Sequence, residues 1–370
     1  MLVYIIIFIF IAALAIDYEF NKPRSCYIIF AVALVLALLA GFRHPDIAKD
    51  YQNYLYAFDG VYDNFDPLIL GIYEPGFIAF IYIARTVFLH NYAVAIMLVF
   101  ALGSVFFKAF SIRTLAINPY LVMLFYYSHY FMLHEMVQVR IGLASAIFFI
   151  SINSYLKGNT RNYVGLILLA TLFHYTAILY LGLLFFKKDS FNRFWYSAVI
   201  LFSVVLSFFK VPLIGILGFF SDYSAKMDNY LYAAEYFSDD IKVLNVVTVF
   251  NIICCLYLII AVAPGGFLAD KKLAFFLKCN ILSIFLLAFF SGVPSMAFRL
   301  SELFGLLSMF TFAYLARFLP AKKFNIFITI LLAGIFFYFF ALTSGLVKAY
   351  RIAPIVSKIT AQVERVGQQA

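Results

Sequence analysis

Apolar runs of about 15–22 residues recur along the whole chain, and a helix rising 1.5 Å per residue needs ~20 of them to cross a ~30 Å hydrocarbon core. CYIIFAVALVLALLAGF (26–42) and NVVTVFNIICCLYLIIAVA (245–263) are examples. Such runs are apolar on every side. Barrel strands would instead alternate in segments of about ten residues. An all-α, polytopic membrane helical bundle is therefore expected. Composition agrees, with 65% hydrophobic and only 12% charged residues, against roughly 25% charged in a soluble domain. Spans are placed near 2–16, 26–42, 70–89, 92–108, 119–133, 140–156, 163–186, 194–209, 243–263, 273–291, 299–318 and 324–343. That is about 12 spans in a single transmembrane domain, 1–343, followed by a polar tail, 344–370. The first run lacks a basic leader and a small-residue cleavage motif, which makes it a retained span.

The net charge of +9 could suggest a nucleic-acid partner, but Lys and Arg gather in short loops between spans, where orientation signals lie. Two longer connections, 43–69 and 210–242, carry more acidic than basic residues and are assigned to the external side. KGNTR (157–161), KKDSFNR (187–193), ADKK (269–272) and RFLPAKK (317–323) are assigned to the cytoplasm. A conflict of parity follows. KGNTR and KKDSFNR flank one span-length run, around His174, yet both read as cytoplasmic; the acidic loop before 70 and the basic KAFSIR (108–113) pose the same problem. Either some segments are re-entrant, which requires protein or a water-filled cavity around them, or some basic residues face outward.

Several chemistries are excluded by spacing. Cys26, Cys254, Cys255 and Cys279 sit in apolar runs without a C-x-x-C pair. HEMVQ (134–138) is not a zinc H-E-x-x-H because position 138 is Gln. There is no Walker loop, no G-x-G-x-x-G after a strand and no D-x-D pair, so no metal or cofactor is expected.

What remains is a short set of ionisable groups in or beside spans, which are costly unless they face a cavity or a partner. In the first long loop Arg43 is followed by Asp50, Tyr54 and Phe58, spaced for one helix face. Glu74 precedes a helix-starting proline in EPGF (74–77). HEMVQVRIGLA (134–144) places Gln138 and Arg140 at the start of a span, where a cation opposes the helix dipole. His174 lies mid-run in LLATLFHYTAI (168–178). Arg299 and Glu302 share a face at i, i+3. Each has a plain alternative: a snorkelling Arg43, solvated loop acids at Asp50 and Glu74, a hydrogen-bonded core histidine at 174, a local ion pair at 299/302. His134 and Glu135 are expected to be interfacial. Arginine suits phosphate because its planar fork donates two parallel hydrogen bonds and stays charged. Two or three converging arginines would bind a diphosphate and stabilise it as a leaving group. A His or carboxylate nearby could take a proton from an attacking hydroxyl.

The order G-x-R…D-Y-x-x-Y, E-P-G-F, Q-x-R-x-G-L-A, F-H-Y-T-A and a late F-R…E, over residues 40–305, resembles the EpsG-type group of Wzy-like O-antigen and exopolysaccharide polymerases. The resemblance implies a GT-C-like, metal-independent glycosyltransferase of the bacterial inner membrane. It would join undecaprenyl-diphosphate-linked oligosaccharide repeats into O-antigen, capsule or exopolysaccharide, with a chain-length regulator and a flippase of the same pathway as further partners. Carried over residue by residue, it implies Arg140 and Arg299 as diphosphate ligands, with Gln138 orienting substrate. His174 or Glu74 is implied as the base. Arg43, Asp50 and Tyr54 would line the acceptor side, and Glu302 would stand beside Arg299. Members commonly carry Gly before the Asp of the first motif, where this chain has Lys49. Competing readings are a lipid-linked sugar flippase, disfavoured by the lack of internal repeats, an O-antigen ligase, and a membrane acyltransferase using His174.

Overall fold

A computed structural model describes residues 1–21, 27–48, 50–61, 73–88, 91–186, 190–209, 242–261 and 270–353. Nearly all of the expected 210–242 loop, Cys26, Lys49 and the tail beyond 353 therefore lie outside the described residues. Within them the chain is all-helical, and the only extended pairing is two isolated antiparallel bridges, Arg43 with Ile352 and Ala48 with Val347.

The chain forms two compact units, Met1–Phe185 with Ile330–Ala370, and Phe186–Thr329. The first opens with α1 (Leu2–Asn21), α2 (Ile28–Gly41) and the short α3 (Tyr51–Asp59), then α4 (Pro75–Phe88) and α5 (Tyr92–Leu115). It continues through α6 (Pro119–Phe125), which runs on as a π-helix (Tyr126–Glu135), to α7 (Val139–Leu156) and α8 (Thr160–Thr171). A 3-10 helix, Tyr175–Phe185, completes that stretch. Helix starts follow local chemistry. Pro75 and Pro119 occupy first-turn positions where no N–H is needed. The side chains of Asn118 and Asn159 accept from the N–H groups of Leu121 and Asn162. α2 and α7 both pack along α5, which is the unit's central helix.

The second unit holds α9 (Arg193–Leu206), α10 (Val246–Ala261), α11 (Lys271–Phe289), α12 (Pro294–Gly305) and α13 (Ser308–Phe318). Its helices are joined by side-chain hydrogen bonds, Ser283 Oγ to Ser301 O (2.6 Å), Tyr257 OH to Phe318 O (2.7 Å) and Asn280 Nδ2 to Asn251 Oδ1 (3.0 Å). Lipid offers no competing partner for such bonds. The last helix, α14 (Asn325–Thr343), begins in this unit and ends in the first.

Among the described residues five helices are long and apolar enough to cross a membrane: α1, α5, α7, α11 and α14. The pair α12/α13, bent by 49°, would make a sixth. Two expected segment types are corrected. KAFSIR is not a loop, because α5 runs on to Leu115 and carries Lys108 and Arg113 within it. The run 163–186 is not one continuous span either. α8 stops at Thr171, and the 3-10 helix turns back alongside it, so that Tyr163 OH near the start of α8 donates to Tyr180 O at 2.5 Å. Tyr155 OH, at the end of α7, donates to Leu183 O at 3.0 Å. Phe148 of α7 stacks on Tyr180 at 3.6 Å between centroids. This is a hairpin whose two feet lie together, with residues 172–174 at its tip.

Candidate functional site

Three motifs meet at that tip, and EPGF is the joint between them. Pro75 opens α4, and the N–H of Gly76 bonds Leu172 O at 2.9 Å. A Cβ at position 76 would stand 2.7 Å from the same oxygen, so only glycine lets the start of α4 reach the hairpin backbone. That contact sets Glu74 between two further elements. Its Oε1 accepts the Tyr175 N–H at 3.3 Å, and its Oε2 accepts from Arg140 Nη1 at 2.5 Å. Phe77 lies beneath, edge-on to Phe100 (5.6 Å) and Tyr54 (6.1 Å) in an aromatic cluster that also holds Tyr51, Phe58 and Met97.

Arg140 sits in the first turn of α7, as the sequence indicates, where the positive dipole end disfavours it. The Glu74 carboxylate offsets that cost. The guanidinium also lies over the rings of Tyr73 (4.6 Å) and Phe77 (5.5 Å), contacts that hold its plane in one orientation. Glu74 is not a solvated loop acid: its side chain is 3% exposed, against 21% for Arg140. Gln138 precedes the helix, half-buried, with its N–H bound to Leu133 O at 2.8 Å. Gly142 follows one turn on, where a Cβ would meet His134 O at 3.1 Å, so the start of α7 is packed tightly against the residues that lead into it.

Asp50 immediately precedes α3, and Tyr54, one turn into that helix, is buried on the face it shares with Phe58. Burial pushes the Tyr54 phenol above its ordinary pKa, with the Arg140 guanidinium opposing, so the hydroxyl remains a neutral donor. Tyr54 is also within electrostatic reach of Asp50 and Arg43. His174 occupies the hairpin tip rather than the middle of a helix, half-buried, its Nδ1 2.7 Å from Thr176 Oγ1. Arg43 does not snorkel. It is fully buried, bonded to Ala40 O and packed over Tyr51 at 5.2 Å.

The first unit thus brings together Arg43, Asp50, Tyr54, Glu74, Gln138, Arg140 and His174. Arg299 and Glu302 belong to the second unit, where both lie on α12, Arg299 exposed and Glu302 half-buried.

One buried cluster escaped the sequence reading. Lys108 Nζ lies 2.5 Å from Glu135 Oε1, which also accepts from Ser104 Oγ at 2.6 Å, and both charged side chains are 0% exposed. His134 and Glu135 are therefore buried, at 1% and 2%, instead of interfacial. The signal was present in VFFKAF (105–110), a lysine with apolar neighbours on both sides, which demands an acidic partner rather than a loop.

The sequence matches the EpsG family over residues 26–354. The chain belongs to the EpsG family. No curated protein and no solved structure matches it. Family membership agrees with the motifs from which the resemblance was drawn, and it is consistent with a membrane protein of polysaccharide biosynthesis. In this EpsG-family chain those motifs are contact points: E-P-G-F, Q-V-R-I-G and F-H-Y-T touch one another around the Glu74–Arg140 pair.

Proposed function

We propose that this EpsG-family chain is a polysaccharide polymerase. It moves a growing oligosaccharide from a polyprenyl diphosphate onto a sugar hydroxyl of a second lipid-linked repeat, at the external face of a bacterial inner membrane. The observation that carries the reading is Arg140, fixed by Glu74 and two aromatic rings beside the tip of a hairpin, with 21% of its side chain exposed and its Nε without a hydrogen-bond partner. A diphosphate reaching it would meet a fork already oriented, so little order need be lost on binding, and charge growing on the leaving group would be stabilised in place. Gln138, two residues earlier in the chain, shares that anion.

Both oxygens of Glu74 already accept hydrogen bonds, so Glu74 serves as the orienting group for Arg140 and His174 takes the proton. In the tautomer whose Nδ1–H donates to Thr176 Oγ1, Nε2 is the basic nitrogen, able to accept the proton of the attacking hydroxyl and return it to solvent. Asp50 and Tyr54 line the acceptor side. Arg299, beside Glu302 on α12, is a further anion-binding group of the second unit, in a GT-C-like bundle to whose crossings the shorter apolar helices add. A flippase and a chain-length regulator would supply and limit the lipid-linked substrate.

The test is Arg140→Ala in the native bacterium. The variant is expected to reach the membrane at normal level while surface polysaccharide stops at a single repeat. Normal chain lengths would overturn the assignment. Long lipid-linked chains with no surface-attached sugar would point to ligation instead.

A further inference from the structure

One face of α5 carries Ser104, Lys108 and Ser111, spaced a turn apart and all buried, in a helix long and apolar enough to cross a membrane. Lys108 Nζ donates to Ser104 Oγ at 3.3 Å and pairs with Glu135 Oε1, and the Tyr126 ring lies 5.4 Å from the same nitrogen. Glu135 Oε2, Ser111 Oγ and both ring nitrogens of His134 are buried without a hydrogen-bond partner. His134 is faced by Lys108 of α5, by His174 at the hairpin tip, and by His129 and the Tyr130 ring (5.7 Å) of its own π-helix. Each unpaired buried polar atom costs stability. Ionisable groups grouped inside a span are retained where they line a pathway, proton relays among them.

The two ends of this file are fixed by α7. Its first turn carries Arg140, and a Cβ on Gly142, two residues on, would stand 3.4 Å from Ser104 Oγ, so Ser104 lies at the level of the candidate site. Its last turn carries Asn153, whose Nδ2 donates to Thr114 Oγ1 at 3.1 Å. Thr114 is exposed, one turn beyond Ser111, and donates to Ser111 O at 3.0 Å. Tyr155, beside Asn153, bonds Leu183 O at the hairpin's feet. The file therefore runs from the tip of the hairpin to its feet, about 15 Å along α5 between Ser104 and Thr114.

We propose that His134, Glu135, Lys108 and Ser111 form a proton path that carries the proton received by His174 to the side of the hairpin's feet; its source of protons rests on the polymerase reading. In each transfer the bond between the donor sugar and its diphosphate breaks, the acceptor oxygen forms the glycosidic bond, and the polyprenyl diphosphate leaves with the electron pair. The hydroxyl proton goes to His174 and then to one ring nitrogen of His134, whose other N–H gives its proton to Glu135 Oε2. From there it passes through the Ser111 hydroxyl to water at Thr114, and each carrier ends with as many protons as it began with. Lys108 stays on Oε1 throughout, which leaves Oε2 for the proton. Gaps of one turn, ~5 Å, are the span of one bridging water. His134 and Glu135 touch no substrate and act through His174. On the proposed topology the feet face the cytoplasm, so every bond formed moves one proton inward, down the membrane potential.

The experiment uses the full chain in liposomes with a pH-sensitive dye in the lumen and with valinomycin and potassium to balance charge. Polyprenyl-diphosphate-linked repeats are added outside only, so that chains with the site outward do the work. The outside is held at pH 8, above the second ionisation of the leaving phosphate, about 6. Protons reaching the lumen are counted against glycosidic bonds, read from chain length. The native chain is expected to deliver about one proton per bond. His134→Phe and Ser111→Val, which remove a carrier at either end of the path, should lower that ratio by about tenfold or more, whatever the rate of polymerisation. Polymer formed with the lumen pH unmoved, or a native ratio in either variant, would overturn the path and leave the polymerase reading standing. No polymer from the native chain would sink the polymerase reading, and an outside acid pulse without substrate then tests the path alone. Faster lumen acidification through the native chain than through Ser111→Val would keep the path; equal rates would overturn it.

Discussion

Glu74 and Arg140 explain each other. Alone, each has an ordinary reading, a loop acid before a proline and a cation at the wrong end of a helix. Sixty-six positions separate them, and no local pattern in the sequence could show that they pair. What was legible was the chemistry of the types: arginine for phosphate, and a carboxylate or histidine for the proton. Which residue does which depends on contacts. Glu74 is engaged at both oxygens, by Tyr175 N–H and Arg140, which is why the proposal gives the proton transfer to His174. Glu74→Gln retains the shape and an acceptor for Tyr175 but removes the charge that holds the guanidinium. Polymerisation in membranes is expected to fall on the order of 10²-fold, the cost of a misplaced reacting group, with protein level unchanged. Elongation at the native rate would show that Arg140 needs no anchor.

At the scale of elements, helix existence was plain from apolar runs, and helix interruption was not. The run 163–186 is apolar throughout, so periodicity offers no sign that it folds back. The reversal comes from tertiary contact, where Gly76 reaches the Leu172 carbonyl and Glu74 receives the Tyr175 N–H. In the same way Lys108 turned an apolar helix into an apparent loop because its partner, Glu135, lies on another element, in a π-helix of the kind often found at functional positions. Breaking a buried pair by removing one partner leaves an uncompensated charge, worth about 3–5 kcal/mol, whereas replacing both by apolar groups is often neutral. Lys108→Met or Glu135→Leu alone should therefore lower the unfolding temperature of detergent-solubilised protein, and the double variant should recover most of it. Equal loss in all three would mean the pair adds nothing beyond packing.

For the whole molecule, the parity conflict in the loop charges bears on the segment between KGNTR and KKDSFNR, which folds as a hairpin. On the proposed topology both feet of that hairpin lie on one side of the membrane. Asn159→Cys and Phe185→Cys, at its two feet, should then react with a membrane-impermeant maleimide from the same side in oriented vesicles; opposite sides would restore a through-span. The remaining distance between sequence and structure concerns Arg299 and Glu302, whose shared helix face was legible and whose substrate contact is part of the proposal. The central claim is that an oriented Arg140 binds and stabilises the departing diphosphate. It is tested most directly with purified protein in liposomes, supplied with polyprenyl-diphosphate-linked repeats and EDTA, by comparing chain lengths made by the native chain and by Arg140→Lys. Polymer is expected from the native chain and single repeats from the variant, because a lysine offers a point charge in place of the bidentate fork. Polymer of native length from Arg140→Lys would contradict it.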